Sequence, residues 1–297
     1  MNLERIVLGT AGLGGVWGPV SAAHSVQTIV AALTAGIGAI DTAPAYGDAE
    51  MYVGMALKQW SGKMPVISSK VGRLKSYAAD VAHYDYSHAG MTDSLHRTLE
   101  TLGILTLDIL FLHDPEAVTP GQIEGIINTL EGFRENGYIR HIGVGGNWPE
   151  WLAPYIQSGI FDVVMEFNHL NAANVSALQD SLPFCLANNI RYYAASPLNM
   201  GLLGRCITAY AHMKPDWLPA DTLHVAVLLQ QLAADHQMSL SSLAHRFLLS
   251  IPYHFNIVLG AANQTELTAT LQDIAAGPLS PTLMKEILNC NKGKLAV

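Results

Sequence analysis

Short apolar runs alternate along the chain with longer stretches in which apolar residues recur at helical spacing. The runs predict strands near Ile6–Leu8, Ile37–Ile40, Pro65–Ser69, Leu107–Leu112, Ile139–Val144, Phe161–Met165, Ile190–Ala194 and Asn256–Leu259. Each is short and suits a parallel strand buried on both faces. Between them, Val26, Ile29, Val30 and Leu33 form one helical stripe with Gly36 as its stop, and Ile123, Ile126, Ile127, Leu130 and Phe133 form another ended by Gly137. Leu95, Leu99 and Leu102 make a third, closed near Gly103. Helical patterns also cover about Ala49–Trp60, Pro149–Ser158, Ala173–Asn188, Asp221–His236, Ser241–Leu249 and Gln264–Ala275, with Pro183 expected to disturb its helix or mark an end.

Eight strands alternating with helices read as βαβ repeats, either closed as a barrel or left open as a doubly wound sheet. The count, the even spacing and the glycines favour the barrel. The run Gly9-Thr-Ala-Gly-Leu-Gly-Gly15 looks like a dinucleotide fingerprint, but Trp17, Gly18 and Pro19 follow where a helix would have to begin. No linker, composition shift or low-complexity tract divides the chain. The expectation is a single α/β domain over residues 1–297, a (β/α)8 TIM barrel, with its chemistry at the C-terminal strand ends.

Composition narrows the classes. Half of the residues are hydrophobic, enough for a large core without disulfides or metals, yet no stretch reaches the roughly 18–20 apolar residues of a membrane span. The N-terminal Met-Asn-Leu-Glu-Arg lacks the features of a signal peptide. Net charge is −8 and the basic residues do not cluster, which argues against nucleic acid and membrane partners. Cys185, Cys206 and Cys290 are odd in number and widely spaced, so they read as reduced thiols of a cytoplasmic protein, with no zinc pattern and no metal expected. Spacing sets no oligomeric state.

The predicted strand ends carry the candidate chemistry. The second runs into Asp41-Thr-Ala-Pro-Ala-Tyr46-Gly, the third into Lys70-Val-Gly-Arg73, the fourth into His113-Asp114-Pro115. Singly, Asp41 can fix a turn, Tyr46 can be a loop aromatic, Lys70 an exposed strand-end lysine and His113 a hydrogen-bonded histidine. Together, three consecutive strand ends place Asp, Lys and His at one face with a Tyr beside them. A lysine ammonium next to a phenol favours the phenolate, a carboxylate holds the lysine, and a histidine hydrogen-bonds a substrate oxygen. Such a group moves a proton to or from an alcohol or carbonyl oxygen while a hydride moves at carbon. Two other clusters are weighed against it. His83-Tyr-Asp-Tyr-Ser-His88 has neither helix-face nor zinc-finger spacing and reads as a loop bordering the site; His113-Asp114-x-Glu116 as metal ligands would leave Tyr46 and Lys70 without roles.

With Asp41-Thr-Ala-x-x-Tyr46-Gly-x-x-Glu50, Lys70-Val-Gly-Arg73, Asp108-Ile-Leu-x-x-His113, Ser196-Pro-Leu-x-x-Gly-Leu-Leu203 and Leu259-Gly260, the sequence resembles the aldo-keto reductases over about residues 4–275. Asp85-Tyr-Ser87, His113-Asp-Pro-Glu116, Ala195–Leu203 and Trp17-Gly-Pro-Val20 are similar to its aldose 1-dehydrogenase branch, whose members act on L-galactose, L-fucose and D-threo-aldoses. The resemblance implies an NAD(P)-dependent oxidoreductase that oxidises C1 of a cyclic aldose, or a similar hemiacetal, to a lactone, with Asp41, Tyr46, Lys70 and His113 as the catalytic set. It implies cofactor contacts from Gly145, Ser196, Pro197, Leu198, Gly201, Leu203, Gly260, Ala262, Asn263 and Glu266. Trp17 and Trp148, in loops after the first and fifth strands, are the candidate walls for a sugar ring. The alternatives are an NADPH-dependent aldehyde or ketone reductase, and a cofactor-binding regulatory protein with little turnover. The chain departs from the common family pattern at Gly145-Gly146, where many members have Ser-Asn; at Ala195, where they stack a Tyr; and at Val164, where they have Gln. NAD is expected over NADP, because Leu259-Gly-Ala-Ala-Asn-Gln-Thr-Glu-Leu267 has no Lys or Arg for a ribose phosphate. The exception would be a basic residue reaching in from elsewhere, Arg205 or Lys214.

Overall fold

A computed structural model describes residues 3–291. The strands are β1 Ile6–Gly9, β2 Ala39–Asp41, β3 Val66–Val71, β4 Leu107–His113, β5 Ile139–Gly145, β6 Val163–Phe167, β7 Arg191–Ala195 and β8 Asn256–Gly260. They pair in sequence order, all parallel, and β8 closes on β1 through Ile6↔Ile257 to Gly9↔Gly260. The helices are α1 Ala22–Thr34, α2 Ala49–Gln59, α3 His88–Leu102, α4 Ile123–Glu135, α5 Ala153–Gln157, α6 Ser181–Ala187, α7 Ile207–Met213, α8 Ala220–Asp235, α9 Leu240–Ser250, α10 Gln264–Ala275 and α11 Pro281–Cys290. This is the expected (β/α)8 barrel. Among the described residues no helix is long and apolar enough to cross a membrane.

Boundaries shift for local reasons. The helix expected over Ala173–Asn188 is instead a 3-10 turn at Ser176–Leu178 followed by α6. Asn171 accounts for the late start: its side-chain oxygen accepts from the backbone of Ala173 and Asn174, a local turn that competes with helix. Pro183 sits third in α6, in the first turn, where its missing N–H is not needed. Pro149–Ser158 likewise breaks into a 3-10 turn and the five-residue α5. The segment expected as a strand from Phe161 pairs only from Val163, and that expected from Ile37 only from Ala39. α7 and α11 were not expected from the pattern; α11 starts on Ser280, whose hydroxyl caps Leu283 N–H, with Pro281 at its first position.

Alternation divides the barrel into two cores. Outward residues such as Leu8, Ile40, Ile67 and Leu110 pack under the helices, while Val7, Ile109, Phe111, Val163, Met165, Tyr193 and Val258 fill the bore. Phe111 needs the glycines opposite: a Cβ on Gly143 would lie 2.4 Å from its ring. Toward the C-terminal ends the inward positions become Gly9, Asp41, Lys70, His113, Gly145, Phe167, Ala195 and Gly260. The plugged bore is therefore the floor of a mouth that is charged on the β2–β4 side and, Phe167 apart, lined by small residues at Gly145, Ala195, Gly260 and Gly9. Val164, the residue at the usual Gln position, faces the helix layer.

Candidate active site

Lys70 is the centre of the charged side. Its side chain is only 2% exposed, and its ammonium donates to both Asp41 oxygens at 2.7 Å and to the Thr42 carbonyl at 2.9 Å. Asp41 also accepts from the Ser68 hydroxyl at 2.8 Å. Burial alone would pull the lysine pKa down; the Asp41 carboxylate and the Tyr46 phenol outweigh it, and the value is raised above the ordinary one. Behind this pair, Glu50 takes the hydroxyls of Ser69 and Thr98, tying β3 to α2 and α3, and burial raises its carboxyl.

Tyr46 lies on the turn after β2, with its ring 4.8 Å from the Lys70 ammonium and edge-on to His113 at a centroid distance of 5.9 Å. Gly14 seats that turn. Its carbonyl accepts from Asp48 N–H, and a Cβ on Gly14 would fall 1.7 Å from the Tyr46 carbonyl oxygen. The glycine run after β1 thus supports the tyrosine turn, and Ala11–Leu13 within it forms a 3-10 turn, with no α-helix until Ala22. The phenol differs from expectation in one respect. Lys70 does pull its pKa down, but burial raises it more, and Asp41 and Asp114 add to the rise, so in the protein alone the phenol sits above its ordinary value.

His113 is buried and held neutral: burial pushes its pKa well below the ordinary value, and the charges of Lys70 and Arg73 act in the same direction. Its Nδ1 is buried with no hydrogen-bond partner among the described residues, while Nε2 lies 3.6 Å from Asp114 Oδ1. A carboxylate beside Nε2 favours the tautomer with the proton there, which makes Nε2–H the donor available for a substrate oxygen.

Asp114 itself is clamped. It takes a left-handed backbone with φ 49°, its other oxygen accepts from Arg73 at 3.1 Å and from the Tyr84 hydroxyl at 3.0 Å, and Tyr86 donates to the His113 and Asp114 carbonyls at 2.8 and 3.0 Å. Tyr84 and Tyr86 stack on each other, so the His83–His88 stretch does border the mouth. Both phenols are raised by burial and by the Asp114 charge, Tyr84 to about 12. Arg73, Tyr86 and Asp114 stand in the motifs of the family resemblance, Asp114 also in the His113-Asp114-x-Glu116 cluster set aside as metal ligands; only the fold shows that the three meet.

The cofactor candidates line the rest of the mouth. Ser196, Asn199, Met200 and Gly201 all have positive φ in a tight turn closed by Asn199 N–H to Ser196 O and Leu203 N–H to Leu198 O. Pro197, Leu202 and Leu203 are buried, so this loop presents mainly backbone, with Leu198 partly open. Gly145 and Gly260 end their strands, and a Cβ on Gly260 would meet open space. Asn263 caps α10 through Glu266 N–H, and Glu266 accepts from Ala262 N–H at 2.9 Å. Arg205 does reach this helix start, pairing with Glu266 at 2.9 Å. Lys214 ends α7 in a left-handed conformation. In the loops after β5 and β6, Asn147 and Asn168 each bury a side-chain oxygen with no partner among the described residues. Both lie beyond the Gly145-Gly146 departure, and the Asn in Gly-Gly-Asn147-Trp148 was the available signal for the first. Trp148 lies against Phe184 at 5.6 Å, and Trp17 is 52% exposed beside Gly12 in the loop after β1.

A parallel eight-stranded barrel with a buried Lys–Asp pair, a Tyr and a His at its C-terminal mouth is the frame of a proton-transferring oxidoreductase. Residues 5–292 match the Aldo/keto reductase family, and the chain belongs to it. It is 30% identical to L-galactose dehydrogenase of Arabidopsis thaliana over 74% of the chain and 67% of that protein. It is 29% identical to the NADH-specific methylglyoxal reductase of Escherichia coli (strain K12) over 97% and 95% respectively, and 26% identical to D-threo-aldose 1-dehydrogenase of a Pseudomonas species over 90% and 88%. The glycerol dehydrogenase structure from Gluconobacter oxydans superposes with a TM-score of 0.79 at 24% identity, covering 99% of this chain and 93% of that one, a likeness of fold. The chain is an NAD(P)-dependent oxidoreductase.

Proposed function

We propose that the enzyme oxidises C1 of a cyclic aldose, or a similar hemiacetal, to a lactone, with NAD preferred. The observation that carries this is the buried Lys70–Asp41 pair beneath the Tyr46 ring, with neutral His113 edge-on to it. Similarity to two aldose dehydrogenases points the chemistry at a sugar. In this reading the Tyr46 oxygen takes the proton of the C1 hydroxyl. Lys70 lowers the cost of the phenolate, and Asp41 keeps Lys70 charged and aimed. His113 Nε2–H holds the same oxygen in line. The nicotinamide, when bound, supplies the hydride acceptor.

The residues present fit such a cofactor. The small residues Gly9, Gly145, Ala195 and Gly260 beside Phe167 leave room over the bore, and the orphaned oxygens of Asn147 and Asn168 suit an amide donor. The backbone of Ser196–Leu203 and the start of α10, with Ala262, Asn263 and Glu266, would hold the phosphates and the adenosine. Glu266 at that start, paired with Arg205, supports the preference for NAD. Three thiols with no disulfide among the described residues fit a cytoplasmic setting.

The test is the near-ultraviolet absorbance of reduced nicotinamide, with NAD and a panel of aldoses, then with NADH or NADPH and a panel of aldehydes. Turnover of at least one aldose with NAD supports the reading. Robust aldehyde reduction with no aldose oxidised would replace it with the second reading, reduction of a small 2-oxoaldehyde, which the long match to the methylglyoxal reductase favours.

A further inference from the structure

The mouth holds one anionic oxygen that the proposed proton transfer does not use. Asp114 divides its carboxylate: Oδ2 is taken by Arg73 at 3.1 Å and Tyr84 at 3.0 Å, while Oδ1 has no hydrogen-bond partner among the described residues and lies 3.6 Å from His113 Nε2. The left-handed backbone and the Asp114 N–H to Gly145 O bond fix where it points. Its side chain is 11% exposed, so it is held by the fold and is not a mobile surface acid. The clamp is anchored again from the loop above, where Arg73 donates to the Ala79 carbonyl and Tyr86 to the carbonyls on either side of the Asp114 nitrogen.

If His113 Nε2–H holds the reacting oxygen, the next oxygen along the substrate comes up against Asp114 Oδ1. Two hydroxyl oxygens on adjacent carbons lie roughly 3 Å apart, close to the 3.6 Å that separates His113 Nε2 from Asp114 Oδ1. We infer that Asp114 is a specificity residue whose free oxygen accepts a hydrogen bond from the hydroxyl on the carbon next to the reacting one. The inference deepens the aldose reading and takes from it the reacting oxygen's place at Tyr46 and His113. It commits the site to substrates with a vicinal hydroxyl, C2–OH in an aldose, and disfavours simple aldehydes, which would leave a buried charge facing carbon.

The test compares lactaldehyde with propanal, which differ only in that hydroxyl, in the reductive direction with NADH, both lactaldehyde enantiomers being measured. For the wild type, kcat/KM for the better enantiomer should exceed that for propanal by at least about tenfold. In Asp114→Asn the ratio should collapse toward unity. The ratio cancels any loss common to both substrates, so a merely structural part for Asp114, or its influence on the His113 tautomer, would lower both values and leave the ratio standing. A wild-type ratio near one, or a ratio that survives in Asp114→Asn, overturns the inference. Should the variant fail to fold, 2-methoxypropanal with the wild type decides. It keeps the oxygen and loses the donor: turnover as poor as propanal supports the carboxylate as acceptor, and turnover equal to lactaldehyde overturns it. No aldose oxidised, with the ratio behaving as described, would end the aldose reading alone; aldose oxidation with an unchanged ratio would end the inference alone.

Discussion

Lys70→Met keeps the length of the side chain and removes its charge. The ammonium has three acceptors within 2.9 Å, two of them the oxygens of Asp41, and both side chains are essentially closed to solvent. Its loss leaves a buried carboxylate with the Ser68 hydroxyl at 2.8 Å and the Thr42 carbonyl without its ammonium. Breaking a buried pair from one side costs about 3–5 kcal/mol. At roughly 2–4 °C per kcal/mol for a chain of this order of size, Tm should fall by about 6–20 °C. Asp41→Asn should fall likewise, and the double variant should regain at least half of the loss, because two neutral groups replace an orphaned charge. The pH dependence follows from the raised lysine pKa. Its stabilisation is full below the ordinary lysine value near about 10.4 and fades as pH rises through the higher folded value. The gap between wild type and variant is therefore flat over about pH 6 to 9 and narrows only in strong alkali. Circular-dichroism melts of the four proteins across that range make the measurement. A single variant melting within about 2 °C of wild type, or a double variant worse than both singles, would refute the claim that the pair is buried and mutually dependent.

Other perturbations probe the remaining contacts. Tyr46→Phe should lower kcat by more than about tenfold, roughly 1.4 kcal/mol of barrier, while cofactor affinity by fluorescence titration stays near wild type; a smaller loss would remove Tyr46 as the proton acceptor. Phenolate absorbance assigned by difference against Tyr46→Phe should titrate above the ordinary tyrosine value in the free protein and higher still in Lys70→Met, since the ammonium is what pulls it down; equal curves would deny the coupling. Glu266→Gln releases Arg205, so the ratio of kcat/KM for NAD to that for NADP, expected above one in the wild type, should fall severalfold; an unmoved ratio would separate that ion pair from cofactor choice. Gly14→Ala drives a methyl into the Tyr46 carbonyl and should cost far more activity than Gly38→Ala, whose Cβ position is open and whose backbone is not left-handed.

Much of this was readable before folding, and for different reasons. The strands were legible because burial on both faces makes each an apolar run, and the polar residues that interrupt such runs, Asp41, Lys70 and His113, stood out against them. Chain-local competition hid the rest. Asn171 drawing the backbone into a turn, or Ser280 starting α11, depends on a few hydrogen bonds that leave little periodicity. The phenol's net shift was misjudged because pair attraction can be read from neighbours in a motif, whereas desolvation depends on everything packed around it. The Asp114 clamp joins residues 73, 84, 86 and 114, and Arg205 meets Glu266 across 61 positions, distances at which spacing carries no signal.

The order of strands around the barrel has an evolutionary consequence. The groups of the proposed proton transfer and the Asp114 clamp come from a contiguous span between Asp41 and Asp114, on β2, β3 and β4 and their loops, whereas the loops proposed for the cofactor come from β5 onward. In the proposed assignment, proton chemistry and cofactor choice therefore fall in successive halves of the chain and meet across the bore. On that assignment a crossover near residue 136, just after α4, would exchange the proposed cofactor loops and leave the proposed acid–base set intact.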